Sequence, residues 1–434
     1  MEAKEYDAHI GMEVFTTQSL GIGGRLKKTP EDFVVQEIGV DGSTAPLEPT
    51  TEEYPDQAGK FTVFYLVKRN LDSIQAIRRL SRSMGVSYKR FSYAGIKDRR
   101  AVTSQRVSFR GSPQDLIGRE IAGIQILHPH RAKQSIVPGA LQGNRFTITI
   151  REVNLSAKKA QSRVESIQKE IQSAGGALNF YGPQRFGIIR PNTHLIGKQL
   201  ILENYKEAIQ ILLEGGVEPT EVSNDSNAEK STEDMPYGLY ERAVTHYLNK
   251  HPDDYKGAFQ VIPRDLARLY VHAYQSYIFN KTISRRVTQG ISLQEPTIGD
   301  YAKPIAGEIH TVRPVTKDVI SQIATAVREG THQIVIPIVG FDFERISFEG
   351  LMGEIITTIL EKEKITPAQF RLKDLPTLSS RGTFRPLLVN PSNYHSSILK
   401  TEETAVQICF DLLKGSYASV ILREFIKPEQ PTQL

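Results

Sequence analysis

The chain has 434 residues, 39% of them hydrophobic and 24% charged, with a formal net charge of +5. That length holds two or three domains at roughly 100 to 200 residues each, and the balance excludes collagen-like, coiled-coil and generally disordered proteins. The single cysteine, Cys409, excludes an internal disulfide and a cysteine-based zinc site.

No window approaches the roughly 20 consecutive apolar residues of a membrane span, and MEAKEYDAHI lacks the apolar stretch of a signal peptide. A cytoplasmic protein with no membrane segment is expected. The ten histidines are scattered, and HPH at 128–130 lacks helical ligand spacing, so no metal is expected.

In chain order, GIGG at 21–24 precedes RLKKTPEDFVVQE, where Lys27 and the acidic pair Glu31 and Asp32 stand ahead of the apolar strand FVVQEI. The glycines make no dinucleotide fingerprint, and no G-x-x-x-x-G-K-S/T occurs, so nucleotide hydrolysis has no support. Asp41 to Gly59, rich in Pro, Gly, Thr and acids, reads as a long loop before a second strand, FTVFYLV. Leu71 to Met84 spaces Ile74, Ile77, Leu80 and Met84 as a helix, with Asp72 as N-cap, Gly85 as stop, and Arg78, Arg79 and Arg82 on its polar side.

Asn144 to Arg151 alternates Phe146, Ile148 and Ile150 with threonines, the period of a half-buried strand, and Ser156 to Gly175 repeats apolar residues at helical spacing. Glu218 to Asp234 has six acids, one lysine and one valine, too little apolar surface to offset the entropy of ordering, and is expected to be a mobile loop. Pro263 to Val287 reads as a long buried helix and QIVIPIVGF as an interior strand. Val406, Ile408, Phe410 and Leu412 then alternate as a strand before GSY and the helical ASVILREFIK. No repeat of 20 to 50 residues occurs, which argues against a solenoid.

Charge is concentrated. From Arg78 to Arg110 there are ten Lys or Arg and one acid, Asp98. Nearby positive charge from Lys97, Arg99 and Arg100 favours its carboxylate form, which could serve as nucleophile or charge stabiliser or simply neutralise a crowded basic turn. Phosphates are held by Lys and Arg and unstacked bases by aromatics, and Tyr88, Phe91, Tyr93 and Phe109 interleave these cations. Alternating aromatics are equally what strands bury.

A second cluster, NFYGPQRFG at 179–187, sets Asn179, Tyr181 and Arg185 among glycines that allow close backbone approach. The amide can read a base edge and a ring can stack on it, or the cluster is a tight turn held by side-chain hydrogen bonds.

In this order, KKTPEDFVVQE, AGIKDRRAVTSQ, GALQGNRF, NFYGPQRFG, HAYQSYIFN and GSYASVILRE resemble the TruD family of tRNA pseudouridine synthases, over nearly the whole chain. The resemblance implies isomerisation of a uridine in tRNA, typically position 13 of the D-arm, by a cytoplasmic enzyme that needs neither cofactor nor metal; a monomer is favoured. It places Asp98 on the catalytic aspartate, Phe33, Asn179 and Tyr417 on the uridine pocket, Lys27 on a basic residue near the carboxylate, and Arg185 on a supporting position. Tyr181 joins the substrate side as the second ring of its motif. Arg78, Arg79, Arg82, Lys97, Arg99 and Arg100, with Arg185, are expected to meet RNA. Two departures stand out: Phe180 precedes Tyr181 where the family has Tyr then Phe, and Tyr417 replaces the family's phenylalanine.

The implied fold is α+β: a catalytic domain with a mixed, largely antiparallel sheet, formed by 1–177 and 389–434 and interrupted by an inserted α/β domain at 178–388. A non-catalytic tRNA-binding protein would share the basic surface without needing the lone acid within it. A nuclease or base-excising glycosylase would instead cleave the chain or leave an abasic product.

Overall fold

The computed structural model describes residues 3–214, 238–305, 311–346, 348–400 and 403–433. The acidic segment Glu218–Asp234 lies outside them. The chain divides into two compact units, one of residues 19–169, 390–428 and 433–434, the other of 1–18, 170–389 and 429–432.

The first unit is built on an eight-stranded sheet. Its strands are β1 (Phe33–Ile38), β2 (Phe61–Arg69), β3 (Phe91–Tyr93), β4 (Val102–Phe109), β5 (Ile124–Ala132), β6 (Gly143–Ile150), β7 (Ser392–Lys400) and β8 (Thr404–Leu413). They run in the order β7-β8-β6-β1-β4-β2-β5, with β3 paired to β4. Only β1 and β4 pair in parallel, and the other pairs are antiparallel. This is the expected mixed, largely antiparallel sheet.

Alternation in β6 turns Phe146, Ile148 and Ile150 to the interior, where the Phe146 ring meets Phe33 edge-on at 6.2 Å and stacks on Phe410 at 5.6 Å. The helix α1 (Ser73–Ser83) begins where Asp72 Oδ1 accepts the Gln75 N–H at 2.8 Å. It buries Ala76, Ile77 and Leu80 against Phe64, Leu66, Phe91, Val107 and Phe109. Each large side chain there contributes about 1.5–3 kcal/mol, so Phe109→Ala would open the core beneath the helix. Two further helices, α2 (Ala157–Ser173) and α3 (Ala418–Ile426), stand where periodicity places them.

The second unit is organised by the helix Arg264–Thr288, which buries Tyr274, Phe279 and Ile283. A four-stranded antiparallel sheet runs Thr383–Pro386, His332–Ile338, Tyr301–Pro304, Arg313–Pro314. The predicted interior strand within QIVIPIVGF is its second member, with a neighbour on each side. Residues 1–18 belong to this unit rather than with 19–169, because Ile10, Met12 and Val14 are buried in its core and Thr16 Oγ1 accepts the Leu178 N–H at 2.9 Å. Among the described residues no helix is long and apolar enough to cross a membrane.

Candidate active site

Asp98 sits in the irregular stretch between β3 and β4. That stretch has no ladder of its own, so its backbone groups need other partners. Gln105 Nε2 donates to the Gly95 carbonyl at 2.9 Å, and the Lys97 N–H donates to Ser73 Oγ at 3.0 Å, which itself donates to Gln105 Oε1 at 2.8 Å. Lys68, at the end of β2 and fully buried, donates to the carbonyls of Leu71 and of Asp98 itself, both at 2.5 Å. The backbone of the aspartate is thereby tied to the sheet and to the start of α1.

Its side chain is tied separately. Lys27 Nζ lies 3.1 Å from Asp98 Oδ1, and the same ammonium lies 4.1 Å from the centre of the Phe33 ring. Lys27 holds a left-handed φ of +54°, a conformation that costs a non-glycine residue on the order of 1 kcal/mol or more. The next turn compensates with a reciprocal cap: the Thr29 N–H donates to Asp32 Oδ2 at 2.9 Å, and Arg151 Nε holds Asp32 Oδ1 at 2.7 Å. The side chain of Asp98 remains 38% exposed and that of Lys27 18%, so the pair is open to a ligand while Phe33 is buried behind it.

The cations around Asp98 are not arranged as the sequence order suggests. Lys97 was expected among the RNA contacts, but it is 6% exposed and its ammonium lies 3.0 Å from the buried Glu37 carboxylate. A charge buried that deeply persists only when paired, and Glu37 on β1 is the pair. Arg100 donates to the Lys28 carbonyl at 3.2 Å, and both Arg99 and Arg100 are exposed. The ion-pair partner of Asp98 is therefore Lys27, distant in sequence, and not its neighbour Lys97. Tyr417 is 43% exposed at the residue before α3.

Asn179, Tyr181 and Arg185 come together in the other unit. Asn179 was expected to read a base edge, yet it is 2% exposed and its amide is engaged from both ends. Its Nδ2 donates to the Pro386 carbonyl at 2.9 Å, and Oδ1 accepts from Arg385 Nη2 at 2.5 Å, while Arg385 Nε also donates to the Asn179 carbonyl at 3.1 Å. The Arg385 guanidinium lies 4.3 Å from the Tyr181 ring centre, with Arg185 at 5.3 Å. Asn280 closes the backbone of Tyr181, accepting from its N–H at 2.9 Å and donating to its carbonyl at 3.0 Å. The turn held by side-chain hydrogen bonds is what forms. Arg385, Asn280, Lys68 and Glu37 carry no local sequence signal of these roles, apart from the oddity of a lysine closing the apolar run FTVFYLV.

Among the described residues no group of three or more His, Cys, Asp or Glu could hold a metal ion. Arg79 and Arg82 are exposed on α1, and Arg78 is half-buried with its guanidinium 5.6 Å from the Tyr88 ring.

The family profile of tRNA pseudouridine synthase D (TruD) matches residues 9–425. A relative in Methanosarcina acetivorans, described as "Probable tRNA pseudouridine synthase D", is 33% identical over 100% of this chain and 99% of its own. One of the same description in Pyrobaculum aerophilum is 32% identical over 99% of this chain and 98% of its own. A crystal structure of a TruD protein from Methanosarcina mazei superposes with a TM-score of 0.83 at 31% identity and covers 100% of both chains. An α+β fold matched over its whole length in this way defines an isomerase of the pseudouridine synthase class. Within that class the chain belongs to the TruD family of tRNA pseudouridine synthases.

Proposed function

We propose that this enzyme isomerises a uridine of cytoplasmic tRNA, at position 13 of the D-arm, and that Asp98 is its catalytic carboxylate. The observation that carries the reading is the Lys27–Asp98 pair, 3.1 Å apart and open to solvent in front of a buried phenylalanine, with the aspartate's own carbonyl anchored by Lys68.

The reaction breaks the N1–C1′ bond of uridine and makes a C5–C1′ bond; the proton on C5 is lost and N1 gains one, so substrate and product are isomers. Positive charge develops at C1′ as uracil departs. A carboxylate can stabilise that charge, bond to the carbon, or remove the 2′ proton and pass through a glycal. Lys27 fixes the direction of the carboxylate, which lowers the ordering cost of reaching the sugar. The freed base has to stay in place while it turns, and stacking serves that purpose. In this reading Phe33 backs the pocket and the exposed Tyr417 supplies a face for the base; by family resemblance Tyr181 is a substrate-side residue and Arg185 an RNA contact, while Asn179, its amide taken up by Arg385 and the Pro386 carbonyl, acts through the turn it holds. Arg78, Arg79, Arg82, Arg99 and Arg100 hold phosphates while the nucleotide is extruded, at a cost of a few kcal/mol.

The test is to incubate unmodified tRNA transcripts with the enzyme and with Asp98→Asn, then map pseudouridine by carbodiimide labelling at single-nucleotide resolution. A signal at uridine 13 that vanishes in the variant, while tRNA binding is kept, is the expected result. Unchanged activity removes Asp98 from the mechanism, and a signal elsewhere removes the position.

A further inference from the structure

The basic segment that surrounds Asp98 in sequence is divided in space. Between Ser73 and Lys97 there is no acidic residue, and Lys97 is the one cation of that stretch withdrawn into a buried ion pair. The Lys97 N–H bonds Ser73 at the start of α1, and from there the helix runs 11 residues, about 16 Å at ~1.5 Å per residue, away from the loop. Phe91 of β3 pairs with Phe109 at the far end of β4, and the eight residues of β4 span about 25 Å at ~3.3 Å per residue from the Asp98 loop to Arg110.

At that far end the chain gathers cations around one exposed ring. Tyr88 is 47% exposed with Arg78 at 5.6 Å, and Arg82 lies one helical turn beyond Arg78. Lys89, Arg90 and Arg110 are exposed beside it. Arg90 is held in place: its Nε donates to the Arg110 carbonyl at 2.9 Å, the Arg110 N–H donates back to the Arg90 carbonyl at 2.9 Å, and its guanidinium lies 4.9 Å from the Phe109 ring. Exposed cations beside an exposed ring, outnumbering the one carboxylate at their border, Asp115 next to Gly111, are complementary to a phosphate backbone, and they stand too far from Asp98 to touch the nucleotide held there.

We propose that Tyr88, Lys89, Arg90 and Arg110 form a second RNA-contact surface, roughly 25 Å from Asp98, that grips the backbone of the substrate remote from the target uridine. The proposal rests on Asp98 marking the reaction site. Its role is affinity and register, with no part in the bond changes.

The experiment compares the enzyme with Lys89→Glu/Arg110→Glu, Lys89→Arg/Arg110→Lys and Asp98→Asn. For each, the Kd of an unmodified tRNA transcript is measured across a potassium chloride series, and for the charge variants also the conversion rate at saturating tRNA and the melting temperature. The reversed variant is expected to bind at least tenfold more weakly at low salt, with the slope of log Kd against log salt shallower by about 1.4 to 1.8, at roughly 0.7–0.9 per lost phosphate contact. Its saturating rate should stay within twofold, and the Arg/Lys exchange should keep the original slope. An unchanged slope in a variant that melts like the parent overturns the proposal, as does a fall in saturating rate with Kd intact. If reversal unfolds the chain, Lys89→Gln/Arg110→Gln decides on the same slope. Asp98→Asn should keep the parental slope; if it still makes pseudouridine, the placement of the reaction site fails, and the slope alone decides whether these residues bind RNA.

Discussion

The loop at Asp98 and the turn at Asn179 start from similar material, a short polar side chain among aromatics and arginines, and reach opposite conditions. At Asp98 the structure consumes the backbone: Lys68 takes the carbonyl, while the carboxylate keeps one ion partner and stands open. At Asn179 it consumes the side chain, which is buried between Arg385 and the Pro386 carbonyl. Residue type shows what a group can bond to, and only the long-range fold decides how much of that capacity is left for a ligand.

The contrast can be broken most severely at Asp98. Asp98→Asn keeps the shape and removes the charge, and the rate of pseudouridine formation is expected to fall on the order of a thousandfold or more, equivalent to about 4 kcal/mol of barrier, with tRNA affinity within threefold by filter binding. Arg385→Met should act on stability in the other unit: the Asn179 carbonyl and amide oxygen lose their donor, at about 1–3 kcal/mol for a buried unsatisfied group and about 2–6 kcal/mol together. Urea denaturation measures it, and an unchanged midpoint would mean that the turn does not need its arginine.

A pH titration of stability sharpens the same point. His194, in the unit of Asn179, is buried between Phe186, His9 and Tyr277, and burial, with His9 and Lys198 nearby, pushes it down to about 3 from an ordinary 6.5. The unfolded chain takes up a proton below about pH 6.5 that the folded chain refuses, so this contribution is whole above pH 6.5 and declines as the pH falls towards 3. At pH 5 the loss is about 2 kcal/mol, and His194→Phe should flatten that part of the stability profile. A profile unaltered by the substitution would contradict the assignment.

Smaller effects are expected back at the aspartate. Lys68→Met removes the anchor of the Asp98 carbonyl and should lower kcat by roughly 10- to 30-fold, or about 1.4–2 kcal/mol, with KM for tRNA nearly constant. A rise in KM at constant kcat would place Lys68 in binding instead. Tyr417→Phe keeps the stacking face and should change kcat/KM by less than about twofold, because the interaction uses the ring; Tyr417→Ala is the contrasting loss.

What the sequence makes legible follows from how local each signal is. The spacing of Ile77 and Leu80 and the Asp72 cap are complete within α1, and the alternation of Phe146, Ile148 and Ile150 is complete within β6, so both elements form as expected. The concentration of charge around Asp98 is legible in the sequence. Its inner order was not, because the fate of Lys97 is set by Glu37 and that of Lys68 by a carbonyl 30 residues away. The same holds for residues 1–18, whose apolar side chains find their partners beyond residue 170, in a core that no local pattern announces.

The sheet order carries a consequence for how the protein is made. β6 is flanked by β1, from the beginning of the chain, and by β8, which follows about 250 residues later, and Phe410 is the residue that covers Phe146. During synthesis the edge of β6 must wait, unpaired, until the second unit has emerged from the ribosome, and such an edge is an invitation to the wrong strand. A nascent chain stalled before residue 404 would thus be a natural client for a chaperone, and ribosome-release kinetics should show the sheet locking last.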